Sequence, residues 1–268
     1  MPTPRPTVAI MSPGDMGHAV AARLREHGLR VITCLAGRSA RTQALAEQAG
    51  IEAVPDDDAL VRQADLLLSI LVPAQAEHLA RRIAAAGGRF VDAGIMGPPP
   101  GVDTRTPFYV SGPHAAAVAA LRDFGLDVRP IGERPGDASA VKMCYAALTK
   151  GTTALMTELS VAAERLGVAG HLRRELRESQ PAALERMAQG VPAMVPKAHR
   201  WVGEMEEIAR TFEDCGLTPK TYLGAAEIFD SVASTPLGGI APERWREEGR
   251  SFEAVVAELA GQPRRQEP

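Results

Sequence analysis

An α/β fold is predicted for this chain of 268 residues: a doubly wound parallel sheet over residues 1–136, then an all-helical domain over residues 137–268. Two observations support this prediction. Strand and helix patterns alternate from residue 7 to residue 112, as they do in sheets built from βαβ units. After residue 136 the β pattern gives way to long stretches rich in Ala, Leu and Glu, which indicate helices.

The first thirty residues predict the opening of a dinucleotide-binding βαβ unit. A buried strand, a tight glycine turn and an amphipathic helix are expected at residues 7–11, 12–17 and 18–27. Gly14 allows a pyrophosphate to approach the backbone, Gly17 allows close helix–strand packing, and the helix N-terminus offers free N–H groups. Ser12 replaces the first glycine of the G-x-G-x-x-G pattern, and Pro13 has no N–H to donate. The turn residues expected to bind the cofactor are Ser12, Pro13, Gly14, Asp15, Met16 and Gly17.

The later elements fit the same architecture. Further strands are predicted at 30–34, 66–71, 90–94 and 108–112, and helices at 40–49, 74–86, 138–166, 171–189, 195–215 and 220–234. This order is typical of a Rossmann-type doubly wound sheet followed by a helical domain. The polar tail at 261–268 is expected to fray and to have no role.

Composition favours a small-molecule partner. A formal net charge of -3 and a pI near 6.1 give no electrostatic footprint for nucleic acid or an anionic membrane. The chain has no apolar run of membrane-spanning length and no signal-peptide core, so a cytoplasmic location is expected. Cys34, Cys144 and Cys215 form no C-x-x-C pair and have no His cluster nearby. They are interpreted as reduced structural thiols, and no metal site is expected.

The segment after the second predicted strand favours NADP(H) over NAD(H). Sites that prefer NAD usually carry an acidic residue about 20 positions after the glycine turn, and residues 35–41 contain none. Arg38 can pair with a 2′-phosphate, Ser39 can donate a hydroxyl hydrogen bond, and Arg41 adds positive charge. In the alternative interpretation, Ser39 caps the next helix and both arginines are solvated.

Five motifs occur in a characteristic order along the chain. They are S-P-G-D-M-G at 12–17, G-R-S at 37–39, L-V-P at 71–73, V-D-A-G-I-M-G-P-P-P at 91–100, and Lys142 at the start of a long helix. This order resembles the β-hydroxyacid dehydrogenases, which include the 6-phosphogluconate and 3-hydroxyisobutyrate dehydrogenases. Residues 200–209 resemble the branch of that family whose C-terminal domain has no known function. The resemblance covers most of the chain. It implies cofactor contacts from Leu71, Val72 and Pro73, a homodimer formed through the helical domain, and an active site in the interdomain cleft.

The resemblance gives Lys142 the acid–base role. It would accept the proton of the hydroxyl that is oxidised, and polarise the carbonyl in the reverse direction. A free lysine, with a pKa of about 10.4, is a poor base at neutral pH, so its apolar neighbours or the charge of Lys150 would have to lower that value. Alternatively, Lys142 and Lys150 form a solvated helix stripe.

Two positions after this lysine depart from the family pattern. Ala146 replaces the asparagine that usually orients the substrate, and Thr149 replaces an acidic residue of the phosphogluconate enzymes. Tyr145, Thr149 and Lys150 are therefore the expected donors to the substrate, with Lys150 suited to a carboxylate or phosphate. These departures disfavour 6-phosphogluconate itself as the substrate.

The loop at 92–100 corresponds to the family segment that presents N–H groups to the substrate carboxylate. Gly94 and Gly97 would allow that approach, and Met96 replaces the usual serine. The three prolines at 98–100 remove donors, which predicts a more apolar pocket. Alternatively, the loop is a rigid turn between two elements.

A second candidate for the substrate pocket lies on the predicted helix at 200–209. Trp201, Met205 and Ile208 recur at helical spacing and are expected to pack inward, while Arg200 and Glu204 share the other side. In the functional interpretation these two side chains line the pocket. In the alternative they form an ordinary exposed ion pair.

These patterns predict an NADP-dependent oxidoreductase of the β-hydroxyacid dehydrogenase type that acts on a small, acidic metabolite. Two alternatives stay open. An imine reductase shares the architecture but typically lacks the lysine. A non-catalytic regulatory protein would bind NADPH without turnover.

Overall fold

The computed structural model describes residues 5–71, 73–97 and 106–262. The chain divides into two units, Met1–Tyr145 and Ala146–Pro268. Across the described residues, no helix is both long and apolar enough to cross a membrane. In the same ranges, no three His, Cys, Asp or Glu side chains are grouped so that they could hold a metal ion.

The first unit contains a seven-stranded sheet. Its strands are β1 (Val8–Ile10), β2 (Val31–Cys34), β3 (Glu52–Val54), β4 (Leu66–Ser69), β5 (Phe90–Ile95), β6 (Pro107–Ser111) and β7 (Asp127–Gly132). They lie side by side in the order β3-β2-β1-β4-β5-β6-β7. The order 3-2-1-4-5 is that of a doubly wound nucleotide-binding sheet, whose ligands bind beyond the carboxyl ends of the strands. The predicted fold class is confirmed.

In the described part of this unit, α-helices accompany the sheet on both faces. They are α1 (Asp15–Glu26), α2 (Ala40–Gln48), α3 (Asp57–Gln63), α4 (Pro73–Ala85) and α5 (Ala115–Val118). Alternate strand residues face two separate apolar layers: Val8 and Ile10 pack in one layer, and Ala9 packs in the other. The sheet is therefore covered on both faces, which leaves the strand ends to form a site.

One strand pair departs from the predicted parallel sheet. The strands β5 and β6 are antiparallel, with Asp92 opposite Ser111 and Gly94 opposite Tyr109. Only residues 96–106 connect the two strands, and a parallel crossover needs about a dozen residues or more. The predicted doubly wound parallel sheet is therefore present with one antiparallel pair among its described strands.

The elements that the sequence patterns missed are short or exposed. Two of the residues of β3 are exposed, and β7 is largely exposed after Val128, so neither edge strand has a continuous apolar pattern. The helix predicted at 18–27 begins earlier, at Asp15, because Gly14 takes the position before the first helical turn.

The long helix α6 (Asp137–Arg165) begins in the first unit and continues into the second. The domain boundary predicted after residue 136 differs from the observed division after Tyr145. The early turns of α6 belong to the first unit because the backbone of Ala138 and the side chain of Lys142 pack against β5 at Gly94.

The second unit is helical, as predicted. After α6 come α7 (Ala169–Ser179), α8 (Pro181–Met194), α9 (Ala198–Asp214), α10 (Lys220–Ala233), α11 (Pro242–Glu248) and α12 (Phe252–Ala260). The single helix predicted at 171–189 is interrupted at Gln180, because Pro181 starts a new helix instead of continuing the old one. Helices α9 and α10 pack together through Trp201 and Phe229, whose ring centroids lie 5.2 Å apart.

Candidate active site

The glycine turn between β1 and α1 has one closed and one open position. A Cβ on Gly17 would lie 2.0 Å from the backbone oxygen of Ser12, so any larger residue would displace the turn. A Cβ on Gly14 would meet nothing within 4 Å. Gly17 thus holds α1 close to the strand, and Gly14 borders open space that a ligand can approach.

Polar groups near this turn are left for a ligand. The Ser12 hydroxyl oxygen is buried and has no hydrogen-bond partner within the described ranges. The hydroxyl of Ser69, at the end of neighbouring β4, is also buried and also lacks a hydrogen-bond partner in these ranges. Because buried hydroxyls are normally satisfied, these two orphaned groups fit a site that binds a polar ligand at the carboxyl edge of the sheet.

Arg38 lies beside the same turn. Its Nη2 donates a hydrogen bond of 2.8 Å to the backbone oxygen of Met11, which brings the guanidinium from the end of β2 to the end of β1. Ser39 caps α2, because its hydroxyl accepts a hydrogen bond of 3.3 Å from the backbone N–H of Thr42. The capping interpretation of Ser39 therefore describes this structure, and Arg41 lies exposed on α2.

The remaining predicted cofactor residues follow β4. Leu71 is half-buried and packs against the core layer that contains Ala9, and Pro73 is the first residue of α4. Val72 lies outside the described residues. The glycine turn, Arg38 and the end of β4 meet at one edge of the sheet, because β1, β2 and β4 are parallel. This donor set fits a dinucleotide.

Lys142 lies against β5 on the first turns of α6. A Cβ on Gly94 would lie 3.3 Å from the Cβ of Lys142 and 2.3 Å from the backbone oxygen of Ala138. Gly94 is therefore required for α6 to approach the strand. Lys142 itself is half-buried, with buried Met143 and exposed Val141 on either side. The expected contact of Gly94 with substrate stays a prediction.

The other loop residues predicted to bind substrate follow β5. The backbone N–H of Met96 donates a hydrogen bond of 3.3 Å to the backbone oxygen of Pro107, so this donor pairs with the neighbouring strand β6. Gly97 is exposed and has a φ of 118°, a conformation that favours glycine. The prolines at 98–100 lie outside the described residues.

The charged residues predicted for the pocket in the second unit bind one another. Lys150 forms an ion pair with Glu204, and Glu204 also forms an ion pair with Arg200, whose Nε lies 3.1 Å from its Oε1. The ammonium of Lys150 lies 5.5 Å from the ring centroid of Trp201. One carboxylate thus offsets one of two positive charges, and the ion-pair interpretation of Arg200 and Glu204 describes this structure.

Two further predicted substrate donors are exposed on α6. Tyr145 is 49% exposed, and the hydroxyl of Thr149 donates a weak hydrogen bond of 3.4 Å to the backbone oxygen of Ala146. Both also take part in other contacts. Their roles in substrate binding stay predictions.

Sequence reasoning missed a buried acid at the start of this site. Asp92 is 0% exposed, and its carboxylate accepts hydrogen bonds from Ser111, Gly136 and Ser139. The available signal was an acidic residue inside an apolar strand, since a charge is rarely buried without partners.

Two different family models match this chain, one in each of its two units. Residues 4–84 match the family model described as acetohydroxy acid isomeroreductase, NADPH-binding domain. Residues 163–232 match the domain of unknown function DUF1932. A curated relative from Methanothermus fervidus, an uncharacterized 28.5 kDa protein, is 26% identical over 176 residues, which are 57% of this chain and 69% of the relative.

Solved structures share the whole architecture. A conserved hypothetical protein from Sinorhizobium meliloti is 25% identical with a TM-score of 0.69, covering 96% of both chains. A conserved protein of unknown function, reported to be similar to 3-hydroxyacid dehydrogenases, is 27% identical with a TM-score of 0.64, covering 88% of this chain and all of that one. The 3-hydroxyisobutyrate dehydrogenase of Mycobacterium tuberculosis is 17% identical with a TM-score of 0.63, covering 96% and 99%.

These findings define an α/β protein with a Rossmann-type sheet and a helical C-terminal domain. More particularly, the chain has the β-hydroxyacid dehydrogenase fold and carries the DUF1932 domain of the branch that the sequence resembles. Both findings agree with the resemblance that the five motifs indicate.

Proposed function

We propose that this protein is an NADP(H)-dependent oxidoreductase of the β-hydroxyacid dehydrogenase type, with Lys142 as its acid–base group. The observation that carries the proposal is the position of Lys142, packed against Gly94 near the carboxyl end of β5. Parallel strands β1, β4 and β5 end at the same edge of the sheet. The glycine turn and the lysine therefore belong to one site in the first unit.

The chemistry needs a hydride acceptor and a proton acceptor. Bound NADP⁺ supplies the hydride acceptor. The ammonium nitrogen of Lys142, once deprotonated, accepts the proton of the substrate hydroxyl as the C–H bond breaks and the carbonyl forms. In reverse, the protonated lysine donates to the carbonyl oxygen. The substrate is a small metabolite, and the net charge of -3 favours no nucleic-acid partner.

Preference for NADP(H) over NAD(H) rests on the β2–α2 segment. Arg38 is anchored beside the turn by Met11, and no acid occurs in residues 35–41 to repel a 2′-phosphate. We expect Arg38→Ala to weaken NADPH binding about tenfold or more and to leave NADH binding nearly unchanged, measured by cofactor fluorescence. Equal losses for both cofactors would contradict this preference.

A homodimer formed through the second unit is also proposed. Exposed Leu148 and Leu155 of α6 line a groove of about 1000 Å³ between α6 and α10. Large exposed apolar side chains in one region are typical of a protein interface. Leu155→Glu should convert the dimer to a monomer in light scattering, and a monomeric wild type would contradict the proposal.

An imine reductase is the second candidate, because Ala146 occupies the position of the substrate-orienting asparagine. The two functions are distinguished by NADP(H) turnover on a panel of substrates. The panel contains 3-hydroxypropionate, 3-hydroxyisobutyrate, L-serine, their oxidised forms and cyclic imines. Turnover of the acids that is lost in Lys142→Ala supports the dehydrogenase. Turnover of imines alone supports the reductase, and NADPH binding without any turnover supports a regulatory protein.

A further inference from the structure

The buried carboxylate of Asp92 joins β5 to the start of α6. Its Oδ2 accepts hydrogen bonds of 3.0 Å from the Ser111 hydroxyl, 3.1 Å from the Gly136 N–H and 2.9 Å from the Ser139 N–H. Its Oδ1 accepts a hydrogen bond from the Ser139 hydroxyl. Asp92 is thus an acceptor in four hydrogen bonds, as expected for an ionised carboxylate.

These bonds satisfy the backbone donors at the start of α6. The Ala138 N–H donates 3.0 Å to the Ser111 hydroxyl, which itself donates to Asp92. The first N–H groups of a helix have no partner within the helix, and negative charge is stabilised there by the helix dipole. Asp92 and Ser111 therefore fix the beginning of α6 from two neighbouring strands, where they lie directly opposite each other.

The same strand face carries the contact with Lys142. Asp92 and Gly94 are two residues apart in β5, so they point to the same side of the sheet. Asp92 binds Ser139, and Gly94 contacts Ala138 and the Cβ of Lys142 one turn later. These contacts therefore fix the position and rotation of α6 on β5 at the turn of the helix that carries Lys142.

We propose that Asp92 is the positioning residue for Lys142. The inference rests on the proposed function of that lysine. Asp92 acts through the first turns of α6 and touches no reacting atom, and Ser111 and Ser139 complete its hydrogen-bond network. Loss of the carboxylate would place the lysine nitrogen incorrectly for proton transfer, and misplacement by about 1 Å can cost about 100-fold in rate.

Asp92→Asn tests the proposal because it keeps the shape, removes the charge and replaces one acceptor oxygen by an amide donor, which faces the Ser139 hydroxyl at the Oδ1 position or three donors at the Oδ2 position. We expect kcat on the best 3-hydroxy acid of the panel to fall about 10- to 100-fold, while KM and the Kd for NADPH stay unchanged. On a Lys142→Met background, Asp92→Asn should cause no further loss, because both substitutions remove the same function. An equal loss on both backgrounds would overturn the proposal.

A measurement that needs no turnover follows from the lysine content. The chain has four lysines, Lys142, Lys150, Lys197 and Lys220, so protein labelled with [¹³Cε]lysine gives four NMR signals that Lys→Arg variants assign. Asp92→Asn should shift the Lys142 signal and leave those of Lys197 and Lys220 in place. An unmoved Lys142 signal, or a moved signal with unchanged kcat, would refute the positioning role.

Two further variants separate the possible failures. If Asp92→Asn does not fold, Ser111→Ala takes its place. It removes one donor to the carboxylate and should change kcat and the Lys142 signal in the same direction by a smaller amount. Ser160→Ala, a buried serine further along α6 that bonds Met156, is the matched control. If no acid is turned over, or if Lys142→Met keeps full activity, the proposed function fails, and the NMR signal still decides whether Asp92 positions the lysine.

Discussion

Two groups of polar side chains, one in each unit, differ in whether the protein itself satisfies them. In the first unit, the ends of β1 and β4 leave buried hydroxyls of Ser12 and Ser69 without hydrogen-bond partners among the described residues. In the second unit, Lys150 and Arg200 both pair with Glu204. The difference shows that a residue type alone does not identify a binding group, because its partners decide whether it is available for a ligand.

The strongest way to break this comparison is to close the glycine turn. Gly17→Ala places a Cβ 2.0 Å from the Ser12 backbone oxygen, so it should destabilise the first unit by several kcal/mol, about 3 or more. Gly14→Ala is the matched control, since its Cβ meets nothing within 4 Å. It should unfold at the wild-type temperature and yet bind NADPH more weakly, because the Cβ occupies the space left for the pyrophosphate. Calorimetry and fluorescence titration check both variants, and unchanged NADPH affinity in Gly14→Ala would place the cofactor elsewhere.

A second pair of glycines compares the two units directly. Gly94→Ala sets a Cβ 2.3 Å from the Ala138 oxygen and should lower both stability and kcat by moving α6 from β5. Gly203 lies in α9, and a Cβ at this position would meet nothing within 4 Å. Gly203→Ala should therefore stabilise the second unit by about 0.5–1 kcal/mol. Denaturant unfolding measures both, and a harmless Gly94→Ala would show that the β5–α6 contact is less close than described.

The paired charges of the second unit give a smaller effect. Glu204→Gln leaves Lys150, whose side chain is 17% exposed, without its carboxylate partner, and should cost about 1 kcal/mol of stability. The double variant with Lys150→Met should recover part of that loss. If Glu204→Gln instead weakened substrate binding without loss of stability, these residues would line the pocket, as one interpretation of the sequence holds.

Whether the sequence predicts a feature of the structure also depends on where the partners of its residues lie in the chain. The motif at 12–17 predicted the glycine turn because backbone geometry there depends on glycine itself. The reversal at β6 and the Asp92 network involve residues that are distant in sequence, and local patterns carry no information about such pairings. For Ser39 and for Arg200 with Glu204, the residue types suited a ligand and a local hydrogen bond equally well, and the structure shows the local bond.

The smallest expected effect concerns the exposed edge of the sheet. Arg30 forms hydrogen bonds with Glu52 that lower the pKa of this carboxyl from its ordinary value of 4.5. Because the folded-state pKa is depressed, the stabilisation is present above about pH 4.5 and is lost as pH falls below it. Arg30→Met should therefore lower the unfolding temperature slightly at pH 7, and the difference from wild type should shrink as the pH is lowered below 4.5. A difference that does not shrink would point to packing or to the hydrogen bond between Arg30 and Gln63 rather than to the charge of Glu52.

Single-turnover hydride transfer tests the central claim most directly. Enzyme saturated with NADPH is mixed with the oxidised form of the best panel acid, and the loss of NADPH absorbance is followed in wild type and Lys142→Ala. The variant should bind NADPH with wild-type affinity and transfer hydride about 100- to 10,000-fold more slowly, because it lacks the proton donor. Transfer at the wild-type rate would contradict the assignment of Lys142 as the acid–base group.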